Sequence, residues 1–152
     1  MAADSDDNSV GDGAPSSWHL KLGDFDVGLR SSEPLIDFIG TPSISTPPEM
    51  WLHQPHHTPA DIWAYGMTIQ VCLLLSDCLI DATMAELEER ICATPNPKLP
   101  IFTAEGSDDA TWPVELSRVA GLARRCCCAE PEERLRAAEL RAHIISMPEG
   151  EA

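Results

Sequence analysis

Side chains that could hold a metal ion are grouped at two places in the sequence. His53, His56 and His57 lie in the segment HQPHH, and three cysteines follow one another at 126–128. A structural zinc site needs four nitrogen or sulfur ligands that converge on one point. Pro55 and the loop context favour solvated imidazoles, and helical neighbours point about 100° apart, so adjacent cysteines cannot converge. We therefore predict solvated histidines and buried, small apolar thiols at these places.

The charge balance limits the classes of partner. The chain has 152 residues, with 25 acidic and 10 basic side chains and a formal net charge of -15. An excess of negative charge argues against nucleic acid or an anionic membrane surface as the main partner, and it favours a protein partner or substrate. Six cysteines without a CxxC pair, and a start without an apolar segment, predict a reducing, intracellular, cytoplasmic location.

Composition divides the chain into three parts. Residues 1–17 are acidic, polar and poor in large aliphatic side chains, so we expect a disordered leader. Residues 18–147 form the predicted folded domain, and 148–152 form a short tail. Leu20 and Leu22 alternate with polar residues, which predicts a short strand that runs into a turn.

A long apolar run predicts the central element of the fold. It extends from Ile62 to Ser76, with the sequence IWAYGMTIQVCLLLS. Thr58 is a suitable N-cap and Pro59 a suitable first helical residue. The run is too short to span a bilayer and is apolar nearly all round. We therefore expect this helix to be the most buried element, surrounded by others.

Three amphipathic helices complete the predicted domain. They are expected over Thr83 to Ala93, Pro113 to about Cys128, and Pro131 to about Ser146. The fold class is therefore mainly α. The predicted inner faces carry Met84, Leu87 and Ile91; then Leu116, Val119, Ala120 and Ala123; then Leu135, Ala138 and Ile145.

Four motifs in sequence order resemble a known family. They are KLGDFDVGLR at 21–30, GTPSISTPPE at 40–49, DIWAYG at 61–66 and PEERLRAAEL at 131–140. Together they resemble the second half of a eukaryotic protein kinase domain, over about residues 18–147. The resemblance implies a C-terminal lobe fragment with a central buried helix and a short strand before the DFG-like motif. It also implies ATP-dependent phosphorylation of Ser or Thr in proteins by the complete family.

The resemblance implies roles for the residues of the first motif. Asp24 matches the aspartate that binds the magnesium bridging the ATP phosphates, and Phe25 matches the phenylalanine whose packing sets the active state. Asp26 stands where the family has glycine. This replacement adds a carboxylate and restricts the backbone. The implied cofactors are ATP and magnesium, which we do not expect this chain to bind alone.

The resemblance also implies a structural framework in the later motifs. Glu49 matches a glutamate that pairs with an arginine before the last helix, here Arg134. Asp61, Trp63 and Gly66 match the motif at the start of the central helix, where the aspartate bonds the backbone of the catalytic loop. We therefore expect a partly buried ion pair between Glu49 and Arg134.

Several motifs needed for phosphoryl transfer are not in this sequence. A kinase uses a glycine-rich loop, a strand lysine and an HRDxxxxN loop, and none of these occurs here. We therefore predict no catalytic residue and no kinase activity for the chain alone. Three interpretations stay open: a pseudokinase remnant that binds proteins, a truncated gene model of an active kinase, and an unrelated helical protein.

Overall fold

A computed structural model describes residues 21–26, 28–36, 42–74, 82–93, 96–99 and 113–147. The predicted leader at 1–17 and the tail at 148–152 lie outside these ranges. Within them, the chain is mainly helical, with five α-helices and one 3-10 helix. These are α1 (Pro48–Trp51), α2 (Pro59–Leu74), α3 (Met84–Ile91), α4 (Val114–Cys126), the 3-10 helix Pro131–Glu133, and α5 (Ala137–Ile145).

Pairing of extended backbone is limited to one bridge in the described residues. Leu35 and His56 exchange both backbone hydrogen bonds, each 2.8 Å long, in antiparallel orientation. This bridge buries His56, so the prediction of a solvated histidine is wrong there, although His53 and His57 are exposed. Lys21 and Leu22 belong to no strand, and the rest of the predicted strand lies outside the described residues.

Helix α2 begins at Pro59, as the sequence predicts, but it is not buried on every side. Trp63 and Met67 are fully buried on the inner side. Tyr65 is 42% exposed, and Thr68 and Cys72 are also exposed on the outer side. The expectation of a helix surrounded by other elements is therefore wrong for this face. Among the described residues, no helix is long and apolar enough to cross a membrane.

Helix α3 begins with a capping box. The Thr83 backbone N–H donates to Glu86 Oε2 at 2.8 Å, and the Glu86 N–H donates to Thr83 Oγ1 at 3.3 Å. The backbone hydrogen bond from Thr83, followed by its side-chain bond, lowers the pKa of Glu86 below its usual value. Leu87 and Ile91 are buried as predicted, but Met84, the first residue of the helix, is 46% exposed.

Helix α4 packs along α2 and forms the largest contact between helices in the described residues. Ala120 and Ala123 are fully buried there, and Val119 is partly buried. Leu116 is 44% exposed, so its predicted inward position is wrong. The packed face of α4 begins one turn later than the sequence pattern indicates.

The predicted fourth helix is interrupted. A 3-10 turn at Pro131–Glu133 ends at Arg134, whose backbone is extended (φ -68°, ψ 152°), and α5 begins only at Ala137. This extended backbone allows the Arg134 side chain to enter the core. Leu135, which is 3% exposed, is buried within the interruption and not on a helix. The predicted inner residues Ala138 and Ile145 are exposed.

Two hydrophobic clusters hold the described elements together. The larger cluster joins α2, α3 and α4, and the smaller cluster joins α4 to the segment that contains α5. The larger one consists of Trp63, Met67, Leu87, Ile91, Leu99, Ala120, Ala123 and Cys127. The smaller one consists of Leu122, Cys126, Leu135 and Leu140.

Candidate functional site

A buried ion pair joins two distant parts of the chain. Arg134 Nη2 lies 2.6 Å from Glu49 Oε2, and Arg134 Nη1 lies 2.7 Å from Glu49 Oε1, although the residues are 85 positions apart in sequence. The Arg134 side chain is 0% exposed, and the Glu49 side chain is 3% exposed. The ion pair that the sequence predicts is therefore present, and it is bidentate. It is also more deeply buried than predicted.

Every N–H group of the Arg134 guanidinium has an acceptor. Two donate to Glu49, and three donate to backbone carbonyl oxygens: Nε to Cys128 at 2.9 Å, Nη1 to Pro59 at 3.1 Å and Nη2 to Ala129 at 3.0 Å. A guanidinium carries five donors in a fixed fork, so the bonding capacity of Arg134 is filled. This arrangement stabilises structure and leaves no donor for a ligand.

Trp63 lies beneath this ion pair. The Cζ atom of Arg134 lies 5.2 Å from the centroid of the indole ring, within the range of a cation–π contact. The indole N–H donates to the carbonyl oxygen of Ile44 at 3.4 Å. Trp63 thus connects α2 to both the loop before α1 and the segment after α4.

Gly66 allows α2 and α4 to approach closely. A Cβ atom at this position would lie 2.6 Å from Cys126 Cβ and 2.6 Å from Cys127 Sγ. Real Cβ atoms do not come this close to other atoms, so a larger side chain would separate the helices. The Cys127 thiol lies 3.8 Å from the carbonyl oxygen of Trp63, which is in the same turn of α2 as Gly66.

The cysteine run behaves as two buried thiols and one partly exposed thiol. Cys126 and Cys127 are fully buried, and Cys128 is intermediate. Burial raises the pKa of Cys126 to about 11, and it raises the pKa of Cys127 further still. Thiols with raised pKa values are poor nucleophiles and poor metal ligands. In the described ranges, no three His, Cys, Asp or Glu side chains are grouped closely enough to hold a metal ion.

Asp61 lies at the surface. Its carboxylate has no hydrogen-bond partner among the described residues, and it faces a cleft of about 570 Å³ between the start of α2 and residues 131–137. Arg134 also contributes to the wall of this cleft. Asp61 thus lies near the ion pair but forms no hydrogen bond with Glu49 or Arg134.

The first motif lies apart from this framework. Asp24 is exposed and has a positive φ of 62°, in the left-handed region, and Phe25 is 64% exposed. The Gly28 N–H donates to the Phe25 carbonyl oxygen at 2.9 Å, which closes a local turn. The predicted site residues therefore divide into an assembled group around Arg134 and an unassembled group at Asp24 and Phe25.

Sequence reasoning missed the three carbonyl groups that accept from Arg134. They belong to Pro59, Cys128 and Ala129. No side-chain pattern identifies a backbone acceptor, because every residue carries the same carbonyl group. Only the approach of the chain segments shows which ones are used.

Comparison with known proteins places this chain beside segments of protein kinases. It is 29% identical over 144 residues to the serine/threonine-protein kinase ssp1 of Schizosaccharomyces pombe, an alignment covering 84% of this chain and 20% of that protein. It is 30% identical over 126 residues to CDPK-related kinase 5 of Arabidopsis thaliana, an alignment covering 82% of this chain and 19% of that protein. The chain thus spans about a fifth of the length of these curated relatives. No model of a known protein family matches the chain.

Proposed function

We propose that this chain is the C-terminal lobe portion of a serine/threonine protein kinase-like protein. The resemblance implies that the complete family carries out ATP-dependent phosphorylation of proteins. The observation that carries the proposal is the buried, bidentate pair between Glu49 and Arg134, with N···O distances of 2.6 and 2.7 Å. The kinase resemblance implied this pair from residues 85 positions apart.

The meeting of three motifs at one point supports the same proposal. Glu49 belongs to the second motif, Trp63 to the third and Arg134 to the fourth, and the Arg134 side chain contacts both of the others. The interpretation as an unrelated helical protein requires no such meeting. The contact therefore favours the two kinase-derived interpretations, a pseudokinase remnant and a truncated gene model.

We further propose that the chain alone does not transfer phosphate. Catalysis of phosphoryl transfer depends on positioning and on stabilising charge with a lysine, two metal ligands and a base. The sequence contains no glycine-rich loop and no HRDxxxxN motif. Asp24 and Asp26 are both exposed, and in the described ranges no group of three His, Cys, Asp or Glu side chains forms around them.

A phosphate-transfer assay tests this proposal. The purified chain is incubated with radiolabelled ATP, magnesium and a generic protein substrate, with Asp24→Ala as the matched variant. We expect no transfer by either protein and no thermal shift on titration with ATP and magnesium. Transfer that persists through purification and disappears in Asp24→Ala would overturn the proposal.

The two kinase-derived interpretations differ in the surrounding gene. An in-frame segment that encodes an HRDxxxxN motif and a strand lysine upstream of Met1 would identify a truncated gene model of an active kinase. A transcript that encodes the 152 residues alone would identify a pseudokinase remnant acting as a protein-binding module. Sequencing of full-length transcripts distinguishes the two.

We also propose an intracellular, cytoplasmic location and a protein partner. The five cysteines in the described residues are free thiols, and two of them are fully buried. Free thiols persist in reducing compartments. Fractionation of cells that express the tagged chain measures its location directly.

A further inference from the structure

A basic groove lies between α4 and the end of α5. Its volume is about 440 Å³, and its polar and apolar walls come from both helices. The described lining residues are Arg118, Gly121, Leu122 and Arg125 from α4, with His143, Ser146 and Met147 from α5 and the residues after it. We call this the α4–α5 groove.

The groove concentrates positive charge in an acidic protein. The chain has only 10 lysine and arginine residues against 25 acidic ones, yet two of them, Arg118 and Arg125, lie together here. No carboxylate is among the described lining residues. Both arginines are exposed, and neither forms an ion pair with a carboxylate in the described part of the chain. The described lining of the groove therefore carries positive charge and no negative charge.

Arg125 is held in place by a neutral partner. Its Nη1 atom lies 2.8 Å from His143 Nε2. Arginine has donors only, so the imidazole nitrogen must accept this bond, and His143 is therefore neutral in this arrangement. The contact orients the guanidinium at the groove without removing its charge. The helix dipole favours a basic residue in the last turn of α4, which explains Arg125. It does not explain Arg118, which lies in the middle of the helix.

Gly121 forms an open floor between the two arginines. It lies in the interior of α4, where glycine weakens a helix relative to alanine. A Cβ atom at this position would meet no atom within 4 Å, whereas one at Gly66 would meet two atoms at 2.6 Å. Close packing therefore explains Gly66 but not Gly121. Close approach of a ligand backbone is the other use of glycine that suits this position.

We propose that the α4–α5 groove binds an extended acidic peptide segment of a partner protein. Arg118 and Arg125 are seven residues apart, so their backbones are separated by about 10.5 Å along the helix. An extended peptide in the polyproline II conformation has three residues per turn and rises about 3.1 Å per residue, so carboxylates three residues apart lie on one face, about 9.3 Å apart, close to this separation. The peptide backbone would lie over Gly121, and each carboxylate would accept hydrogen bonds from one guanidinium.

The overall charge of the chain favours a peptide over a polyanion. A net charge of -15 repels nucleic acid and anionic bilayers, whose charge extends far beyond a groove of this size. A short peptide with two carboxylates places its charge within the groove, where Arg118 and Arg125 attract it at short distance. This binding activity does not depend on phosphoryl transfer, so it stands independently of the proposed function.

Fluorescence anisotropy with the full chain tests the proposal. The probe is the peptide GEGGEG with a neutral fluorophore, and the control probe is GQGGQG with the same label. We expect the acidic peptide to bind at least about tenfold more tightly than the amide peptide at low ionic strength, because charge-assisted hydrogen bonds are the stronger kind. The affinity should fall as salt screens the charges.

Three variants locate the binding. The double variant Arg118→Gln and Arg125→Gln should lose about tenfold or more in affinity. A matched double variant, Arg30→Gln and Arg141→Gln, makes the same change in net charge at exposed residues that do not line the groove, and should change affinity less than about twofold. The variant Gly121→Leu keeps every charge but covers the floor, and should also lose binding.

Each outcome decides the proposal. Equal affinity for the two peptides, or no saturable binding, would overturn it. Equal losses in the two double variants would show an effect of net charge only and would also overturn it. Native affinity in a folded Gly121→Leu variant would remove the role of the floor and the proposed mode of binding. Thermal melts of all variants establish that they are folded.

Discussion

The guanidinium of Arg134 lies over the indole ring of Trp63, with Cζ 5.2 Å from the ring centroid, while both of its outer nitrogens bond Glu49. The arginine therefore has an aromatic surface on one face and hydrogen-bond acceptors around its edge. Three backbone carbonyl groups complete these acceptors. This arrangement fixes the start of α1, the start of α2 and the end of α4 relative to one another.

Removal of the Glu49 charge should destabilise the fold strongly. The variant Glu49→Gln keeps the shape of the side chain but leaves the buried Arg134 charge uncompensated. Such a loss typically costs about 3–5 kcal/mol. We expect this decrease in the free energy of unfolding, measured by urea denaturation.

An exposed ion pair provides the matched control for that variant. Glu89 Oε1 lies 3.4 Å from Lys98 Nζ, and the two side chains are 73% and 59% exposed. The variant Glu89→Gln should cost at most about 1 kcal/mol, because water screens the charges. Equal losses in the two variants would contradict the structural importance of the buried pair.

Two glycines in helix interiors should respond oppositely to alanine. Gly66→Ala would place Cβ 2.6 Å from Cys126 and Cys127 atoms. Overpacking of this kind costs about 1–3 kcal/mol. Gly121→Ala meets no atom within 4 Å and should stabilise α4 by up to about 1 kcal/mol.

Thermal melts of both alanine variants check this prediction. The melting temperature should fall for Gly66→Ala and rise for Gly121→Ala. A rise for Gly66→Ala would show that α2 and α4 do not approach as closely as described.

The cysteine thiols should differ sharply in reactivity. Cys72 is exposed, whereas Cys126 and Cys127 are fully buried. Alkylation of the native protein at neutral pH should therefore modify Cys72 and leave the two buried thiols intact until the chain is denatured. Mass spectrometry of digested protein identifies the labelled positions. Native-state labelling of Cys127 at the rate of Cys72 would contradict the packing of α4 on α2.

The raised pKa of Cys126 also predicts a loss of stability at alkaline pH. Burial raises its pKa to about 11 in the folded chain, from an ordinary value of 9.0. Below pH 9 the thiol is neutral in both states, so its contribution to stability is fully present. Between pH 9 and 11 the unfolded chain releases the proton first, and stability falls.

Urea denaturation at several alkaline pH values measures this loss. Other groups titrate in the same range, so the comparison is with Cys126→Ala. The variant should show a shallower decrease in stability between pH 9 and 11. Identical slopes for the two proteins would contradict the contribution of Cys126.

The capping box of α3 should contribute measurably to stability. Thr83→Ala removes the acceptor of the Glu86 N–H, and loss of such a cap costs roughly 1 kcal/mol. Thr68→Ala is the control, because its hydroxyl bonds only the Ala64 carbonyl within an exposed helix turn at 3.0 Å. The control should change stability by less than about 0.5 kcal/mol. Urea denaturation distinguishes the two variants.

The sequence alone determined where two helices begin and, through the resemblance, one ion pair. Pro59 starts α2, and Thr83 caps α3, because start signals depend on hydrogen bonds within a few residues. The pairing of Glu49 with Arg134 came from a family pattern rather than from local periodicity. Local chemistry and the resemblance thus supplied the elements and their main connection.

Only the tertiary structure decided which faces of those elements are exposed to water and which pack against one another. The outer face of α2 carries an exposed Tyr65 because α4 packs on the opposite side. Arg134 interrupts a helix that its neighbours favour, because an extended backbone there satisfies five donors in the core. Burial and hydrogen bonding between distant segments depend on contacts across the whole chain, which no short window of sequence contains.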